Sequence, residues 1–215
     1  MATLPYPPER VRRRYDRLAP WYPIFEWILW LPPGIRERAV RRLELPPGGT
    51  VLEVGCGTGR NFGHLEAAVG AAGHVYGVDL SEEMLSRSRR LCAARGWQNV
   101  ILTHGDALSY TAPAPLDGVL FSLSYCTMLH RLRILEHVWS QLKPGGRLVI
   151  LEARLVPSFL GRLSRPLLVA LMKATVLGDP DHDTLKDVRS LTDDLTVKEE
   201  LFGSYFICRG RKKAM

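Results

Sequence analysis

The sequence predicts an α/β fold: a doubly wound, mostly parallel sheet with helices on both faces. Three observations predict it. Short apolar runs alternate with helical segments from Thr50 to Ala153, the pattern of parallel strands joined by right-handed crossovers. The run Val51-Leu52-Glu53-Val54 leads straight into glycines at alternate positions, Gly55, Gly57 and Gly59. A second apolar run, Val75-Tyr76-Gly77-Val78, then ends in a carboxylate, Asp79.

The elements follow in order. Residues 1–47 read as an N-terminal helical extension. Arg10 to Leu18 has helical character and is broken by Pro20 and Pro23. Aromatics then crowd at Trp21, Tyr22, Phe25, Trp27 and Trp30. A helix is expected from Ile35 to Leu43, stopped by Pro46-Pro47 and Gly48-Gly49. Strands are expected at Thr50–Val54, His74–Asp79, Asn99–His104, Leu116–Ser122 and Arg147–Ala153, with helices at Asn61–Val69, Glu82–Ala94 and Arg131–Leu142. Ser81 has the short hydroxyl side chain that caps a helix, and Glu83 sits in the first turn behind it. Phe159 to Leu177 reads as an apolar helical segment carrying Arg162, Arg165 and Lys173, within an insertion of about 157–195. Val197–Phe202 and Tyr205–Arg209 close the chain as two strands around Gly203.

At 215 residues the chain fits one domain with a full core. Four scattered cysteines, Cys56, Cys92, Cys126 and Cys208, form no Cys-x-x-Cys pair, so no metal site and no disulfide framework is expected. That usage fits a reducing compartment, and a cytoplasmic protein is expected. The run Trp21 to Leu31 is too short to span a bilayer and is interrupted by Pro23 and Glu26. The net charge of +7 gathers at the ends, in Arg10, Arg12, Arg13 and Arg14 and again in Arg209, Arg211, Lys212 and Lys213. Such runs serve an anionic surface, nucleic acid or solubility alone.

A glycine loop between an apolar strand and a helix, with an acid ending the next strand, builds a nucleotide site. The acid accepts hydrogen bonds from ribose hydroxyls. The spacing is Gly-x-Gly-x-Gly rather than the dinucleotide Gly-x-Gly-x-x-Gly, and Glu53 stands two residues before the first glycine. A carboxylate there repels a pyrophosphate but favours a cationic ligand. S-adenosylmethionine carries a sulfonium, an amino group and a ribose, and no phosphate. It suits both carboxylates.

These residues resemble the class I S-adenosylmethionine-dependent methyltransferases. Glu53 to Gly59 matches the glycine motif of that family, Val78 to Leu85 its second motif, Gly105-Asp106-Ala107 its adenine motif and Leu142 to Leu148 its pre-strand turn. The resemblance implies a Rossmann-like, seven-stranded sheet with a C-terminal antiparallel strand, and a methyltransferase domain over 48–215. It implies cofactor contacts at Glu53, Gly55, Cys56, Gly57, Thr58, Gly59, Asn61, Asp79, Leu80, Met84, Gly105, Asp106, Ala107 and Ser122. Glu53 is expected to reach toward the amino group, and Thr58 and Asn61 either to meet the methionine carboxylate or to cap the helix. Leu80 and Met84 should flank the adenine. The loop after the fourth strand faces the acceptor in that family, which makes Tyr125 and His130 catalytic candidates.

Tyr15-Asp16-Arg17-Leu18-Ala19-Pro20-Trp21-Tyr22 carries a second resemblance, to quinone-biosynthesis C-methyltransferases and bacterial phosphatidylethanolamine N-methyltransferases. It implies that Tyr15, a third catalytic candidate and a further cofactor contact, folds over the donor in a lid and that Tyr22, with Tyr125, lines the acceptor pocket. Arginines beside aromatics suit a membrane interface. The first expectation is therefore N-methylation of a phospholipid amine at a peripheral membrane surface, on the inner face. Quinone-ring C-methylation or a soluble small-molecule acceptor comes next. A nucleic-acid methyltransferase and a non-catalytic binding protein stand behind these. No Asn-Pro-Pro-Tyr-type motif follows the fourth strand, and no nucleic-acid partner is expected.

Overall fold

A computed structural model describes residues 13, 16, 31–154 and 182–214. The expectations for Tyr15, Tyr22, the aromatics from Trp21 to Trp30 and the segment Phe159 to Leu177 lie outside the described residues.

Seven strands form one sheet in the order β3-β2-β1-β4-β5-β7-β6. They are β1 (Thr50–Val54), β2 (His74–Asp79), β3 (Val100–His104), β4 (Leu116–Ser122), β5 (Leu142–Ala153), β6 (Leu195–Glu200) and β7 (Tyr205–Arg211). The first five pair in parallel, and β7 runs antiparallel to β5 and β6. The order reverses at β1, whose two neighbours are β2 and β4. A crevice opens beyond the carboxyl ends of the strands at such a switch point. The glycine loop and Asp79 both stand there.

The central strands read as apolar runs because helices cover both faces. On one face α1 (Ile35–Arg41), α2 (Phe62–Val69) and α3 (Glu82–Arg95) bring Ile35, Phe62, Leu65 and Leu85 against Val51, Leu120 and Val149. On the other, α4 (Arg131–Ser140) and α5 (Thr184–Arg189) bring Ile134, Leu135, Val138 and Val188 against Leu52, Val119 and Ile150. Ser81 caps α3, its hydroxyl accepting from the Met84 N–H, and Glu82 and Glu83 face the positive end of the helix dipole.

Several boundaries differ from the sequence expectation, two of them for a clear physical reason, and one helix was not expected. β5 begins at Leu142 rather than Arg147: Leu116 pairs with Leu142 and Gly118 with Arg147, so the Pro144-Gly145-Gly146 turn lies inside the paired strand as a bulge. β6 ends at Glu200 rather than Phe202. Leu201 (φ 48°), Phe202 (φ 53°) and Gly203 (φ 83°) are left-handed and turn the chain back, which leaves Phe202 96% exposed. Helix α5 stands in a stretch that reads as merely polar. Its start is fixed by Asp183, whose carboxylate accepts from the Lys186 N–H.

Candidate functional site

A cavity opens at the carboxyl ends of β1, β2 and β4. The loops after β1 and β2 line it with Gly55, Gly57, Asp79, Leu80 and Ser81, and Met84 of α3 closes that side. Gly105, Asp106 and Ala107, after β3, form a second wall. Ser122, Leu123, Ser124, Thr127, Met128 and Leu129, with Ile134 of α4, form the third.

The glycines divide their work. Gly57 is left-handed (φ 53°), and among the described residues a Cβ there would meet nothing within 4 Å. It faces open space in the cavity. Gly59 is also left-handed (φ 79°), but a Cβ there would lie 2.6 Å from the Phe62 ring. Its smallness serves the packing of α2.

Asp79 is held by the loop itself. Gly57 N–H donates to its Oδ2 at 2.8 Å and Ser81 N–H to its Oδ1 at 2.9 Å. Burial lifts its carboxyl above the usual range, against these two donors. Each carboxylate oxygen keeps a further lone pair for a hydroxyl in the cavity. Asp16, from the segment read as a lid, accepts from the Ser81 hydroxyl at 2.6 Å and so reaches the same rim. Asp106 lines the cavity while its Oδ1 accepts from the Leu108 N–H, so it also serves the turn.

Glu53, Asn61 and Thr58 stand behind the loop rather than on the cavity wall. Glu53 is buried, and burial pushes its carboxyl up to about 8. The Asn61 amide donates to its Oε1, while its Oε2 has no partner among the described residues. Asn61 makes no capping bond to α2: its amide N–H donates to Glu53, and its Oδ1, the atom a cap would use, accepts from Arg36. The buried Thr58 hydroxyl also lacks a partner there. A buried carboxylate oxygen left open is costly unless a donor meets it. Cys56 is buried against Phe62 and Gly77, and burial raises its thiol far above the usual range, so it acts as a small apolar residue.

Arg36 of α1 is the residue that sequence reasoning missed. Its Nη1 donates to the Ser122 hydroxyl at 2.9 Å and to the Asn61 Oδ1 at 3.4 Å. It brings a cation beside Glu53 and Asn61, where an amino-acid carboxylate needs one. Four arginines lie within 36–42, and nothing local marks the one that turns inward.

The two acceptor-side candidates do not line the cavity. Tyr125 is fully buried, and its hydroxyl donates to Asp187 Oδ2 at 2.6 Å. Burial, and that carboxylate after it, push the phenol well above its ordinary range, so it stays protonated as the donor to Asp187. His130 is an exposed left-handed residue (φ 58°) at the start of α4, with no capping bond from its side chain.

The arrangement fits S-adenosylmethionine. Among the described residues it offers a carboxylate for a ribose, an unpartnered buried carboxylate oxygen for a cation, an arginine for a carboxylate, and free space over Gly57 and Gly105. Among the described residues the cavity walls carry no phosphate cradle of lysines or arginines.

Comparisons with known proteins agree. Residues 51–146 match the family model described as "Methyltransferase domain". The demethylmenaquinone methyltransferase of Geobacillus kaustophilus (strain HTA426) is 33% identical over 145 residues, covering 67% of this chain and 60% of that protein. That of Symbiobacterium thermophilum is 34% identical over 148 residues, covering 67% and 57%. The chain thus spans about three fifths of the length of the curated relatives it matches. A SAM-dependent methyltransferase from Aquifex aeolicus superposes with a TM-score of 0.59 at 19% identity, covering 84% of this chain and 93% of that one. An arsenic(III) S-adenosylmethionine methyltransferase from Chlamydomonas reinhardtii gives 0.60 at 19%, covering 86% and 75%. These two share the fold. Residues 51–146 are thus a methyltransferase domain, and the chain is similar to the class I S-adenosylmethionine-dependent methyltransferases, with the quinone-biosynthesis C-methyltransferases among them.

Proposed function

We propose that the protein transfers a methyl group from S-adenosylmethionine to a ring carbon of a reduced quinone. The observation that carries this reading is the acceptor-side wall. Among the described residues it is built from Leu123, Met128, Leu129 and Ile134, with the hydroxyls of Ser122, Ser124 and Thr127 between them. The two acids on the cavity wall, Asp79 and Asp106, stand at the ends of β2 and β3 on the ribose and adenine side. No acid of the described residues on the acceptor side would hold an ammonium. A flat apolar ring suits that wall; a cationic headgroup does not.

The bound donor supplies an electrophilic methyl on a sulfonium that carries its own leaving group. The residues of this chain align and exclude water. Asp79 holds the ribose. Glu53 and Arg36 hold the amino and carboxylate groups of the methionine arm. Ser124 and Thr127 donate their hydroxyl hydrogens to the carbonyls of Val54 and Ser124, at 2.7 Å in both cases. They are left as acceptors, not strong bases. A phenol of the dihydroxy ring gives its proton to water and the phenolate makes the neighbouring carbon nucleophilic; that carbon takes the methyl as the sulfonium C–S bond breaks, then releases its own hydrogen as a proton to restore the aromatic ring. The names of the relatives, demethylmenaquinone methyltransferases, support the same acceptor class.

The second reading is N-methylation of a phospholipid amine. It rests on the arginines Arg10 to Arg14 and the aromatics Trp21 to Trp30. Either acceptor resides in a bilayer, so we also propose peripheral contact with a membrane surface. Among the described residues no helix is long and apolar enough to cross one. The test incubates pure protein with methyl-labelled donor and either a short-chain demethylated quinol or phosphatidylethanolamine vesicles. Label in the quinol is expected. Label in the phospholipid alone would establish the second reading instead.

A further inference from the structure

We propose that Glu152 is a positioning residue of the donor site: from beneath the sheet end it clamps the loop that forms the acceptor-side wall, and donor binding depends on that clamp. The inference rests on the methyltransferase reading of the cavity.

Glu152 sits one residue before the end of β5, on the face that carries Ile150, and is 3% exposed. Its Oε2 accepts from the Cys126 N–H at 3.0 Å, in the middle of the loop that supplies Ser124, Thr127 and Met128 to the cavity. A second tether lies beside it: the Tyr125 hydroxyl donates to Asp187, which His182 also meets at 2.6 Å. The loop needs tethers because it starts strained, with Leu123 at φ 58°. Its position is felt at the donor. A Cβ on Gly55 would lie 2.7 Å from the Ser124 Cβ, so the loop packs directly on the glycine turn. The Ser124 hydroxyl also donates to the Val54 carbonyl at 2.7 Å.

The clamp responds to protonation. Burial pushes the Glu152 carboxyl up to about 7, opposed by the Cys126 donors, the Ala153 N–H and His182. The ionisable groups around it are Cys126 on the loop, Arg131 at the start of α4, His182 and Asp187 at α5, Arg154 after β5 and Cys208 on β7. A polar cavity lined by Cys126, Glu152, Arg154, His182 and Thr184 gives protons a route. As a carboxylate, Glu152 makes a charge-assisted bond to the loop; protonated, it makes a weaker neutral one.

The experiment compares wild type with Glu152→Gln in two readouts. Amide exchange without donor should rise about tenfold at Cys126 to Leu129 in the variant and stay unchanged in β1 and β4, the scale of a lost charge-assisted bond. Donor affinity should fall by a similar factor above about pH 7.5 and converge with wild type near about pH 6, because the protonated wild type has lost the same clamp. Unchanged exchange at the loop overturns the clamp. A looser loop with unchanged donor affinity overturns its coupling to the site. If the variant does not fold, the wild type alone decides: corrected for intrinsic exchange, loop protection should increase as pH rises through about 7, and a flat profile overturns the proposal. Absence of donor binding in every form would sink the methyltransferase reading, while the exchange arm still judges the clamp.

Discussion

Replacing Glu53 by glutamine should make the empty protein more stable and the donor complex weaker. Glu53 is buried, with one oxygen on Asn61 and the other without a partner among the described residues. Burial raises its carboxyl to about 8 from an ordinary value of 4.5. The unfolded chain therefore releases this proton before the folded one does. Stability is fully present below about pH 4.5, falls as pH rises through the folded value of about 8, and is flat beyond it. A gap of that size corresponds to at most roughly 5 kcal/mol, since one unit is about 1.4 kcal/mol. Glutamine keeps an oxygen for Asn61 and never ionises, so at about pH 8 the variant should resist denaturant better than wild type, and its stability should vary less with pH. Binding goes the other way. The cationic donor selects the carboxylate, so wild-type affinity should rise by up to roughly tenfold per unit between about pH 6 and 7.5, with proton release. Loss of a charged hydrogen bond costs about 1.5–3 kcal/mol, or roughly 10- to 150-fold in affinity. The assays are urea unfolding of the empty protein across pH and calorimetric titration with donor in two buffers. Undiminished affinity in the glutamine variant, or wild-type stability that rises from about pH 5 to 8 with no contribution from this position, would refute the reasoning.

Other outcomes follow from the same geometry. Gly57→Ala should cost about 1 kcal/mol of stability for its left-handed backbone and leave the fold intact, while donor binding drops sharply because the new methyl enters the cavity. Gly59→Ala should lose stability first, by about 2–4 kcal/mol, since strain adds to a clash with Phe62; equal stability of the two variants would contradict the division of roles. Arg36→Gln should weaken S-adenosylmethionine by roughly tenfold or more and spare a donor analogue lacking the carboxylate, read by competition binding. Equal losses for both ligands would make Arg36 structural.

Much of this fold is legible because the strands are buried on both faces. The runs around Val51, Val75 and Val119 are continuous and apolar, and the glycines and Ser81 punctuate them. What stayed hidden has physical reasons. The Leu201-Phe202 pair reads as strand by composition, but a left-handed turn claims it. Helix α5 is short and polar, so its apolar periodicity is faint. At the site, backbone chemistry announced Asp79 and the glycines, whereas Tyr125 and His130 were read from position after β4 alone. Tyr125 turned to Asp187 and His130 to solvent. Glu152 carried the signal that exposed Glu53 and Asp79, a lone acid ending an apolar run, and it was legible in Leu148 to Ala153. Arg36 carried none, because its role depends on a contact with Ser122, far along the chain.

The account stands most directly on which nucleotide enters the cavity over Gly57 and Asp79. Calorimetric titration of the pure protein with S-adenosylmethionine, S-adenosylhomocysteine and NAD answers that. The prediction is one saturable site for the first two, none for NAD, and a loss of about 1–3 kcal/mol on Asp79→Ala as ribose hydroxyls lose their charged acceptor. Saturable NAD binding, or donor affinity that ignores Asp79→Ala, would contradict it.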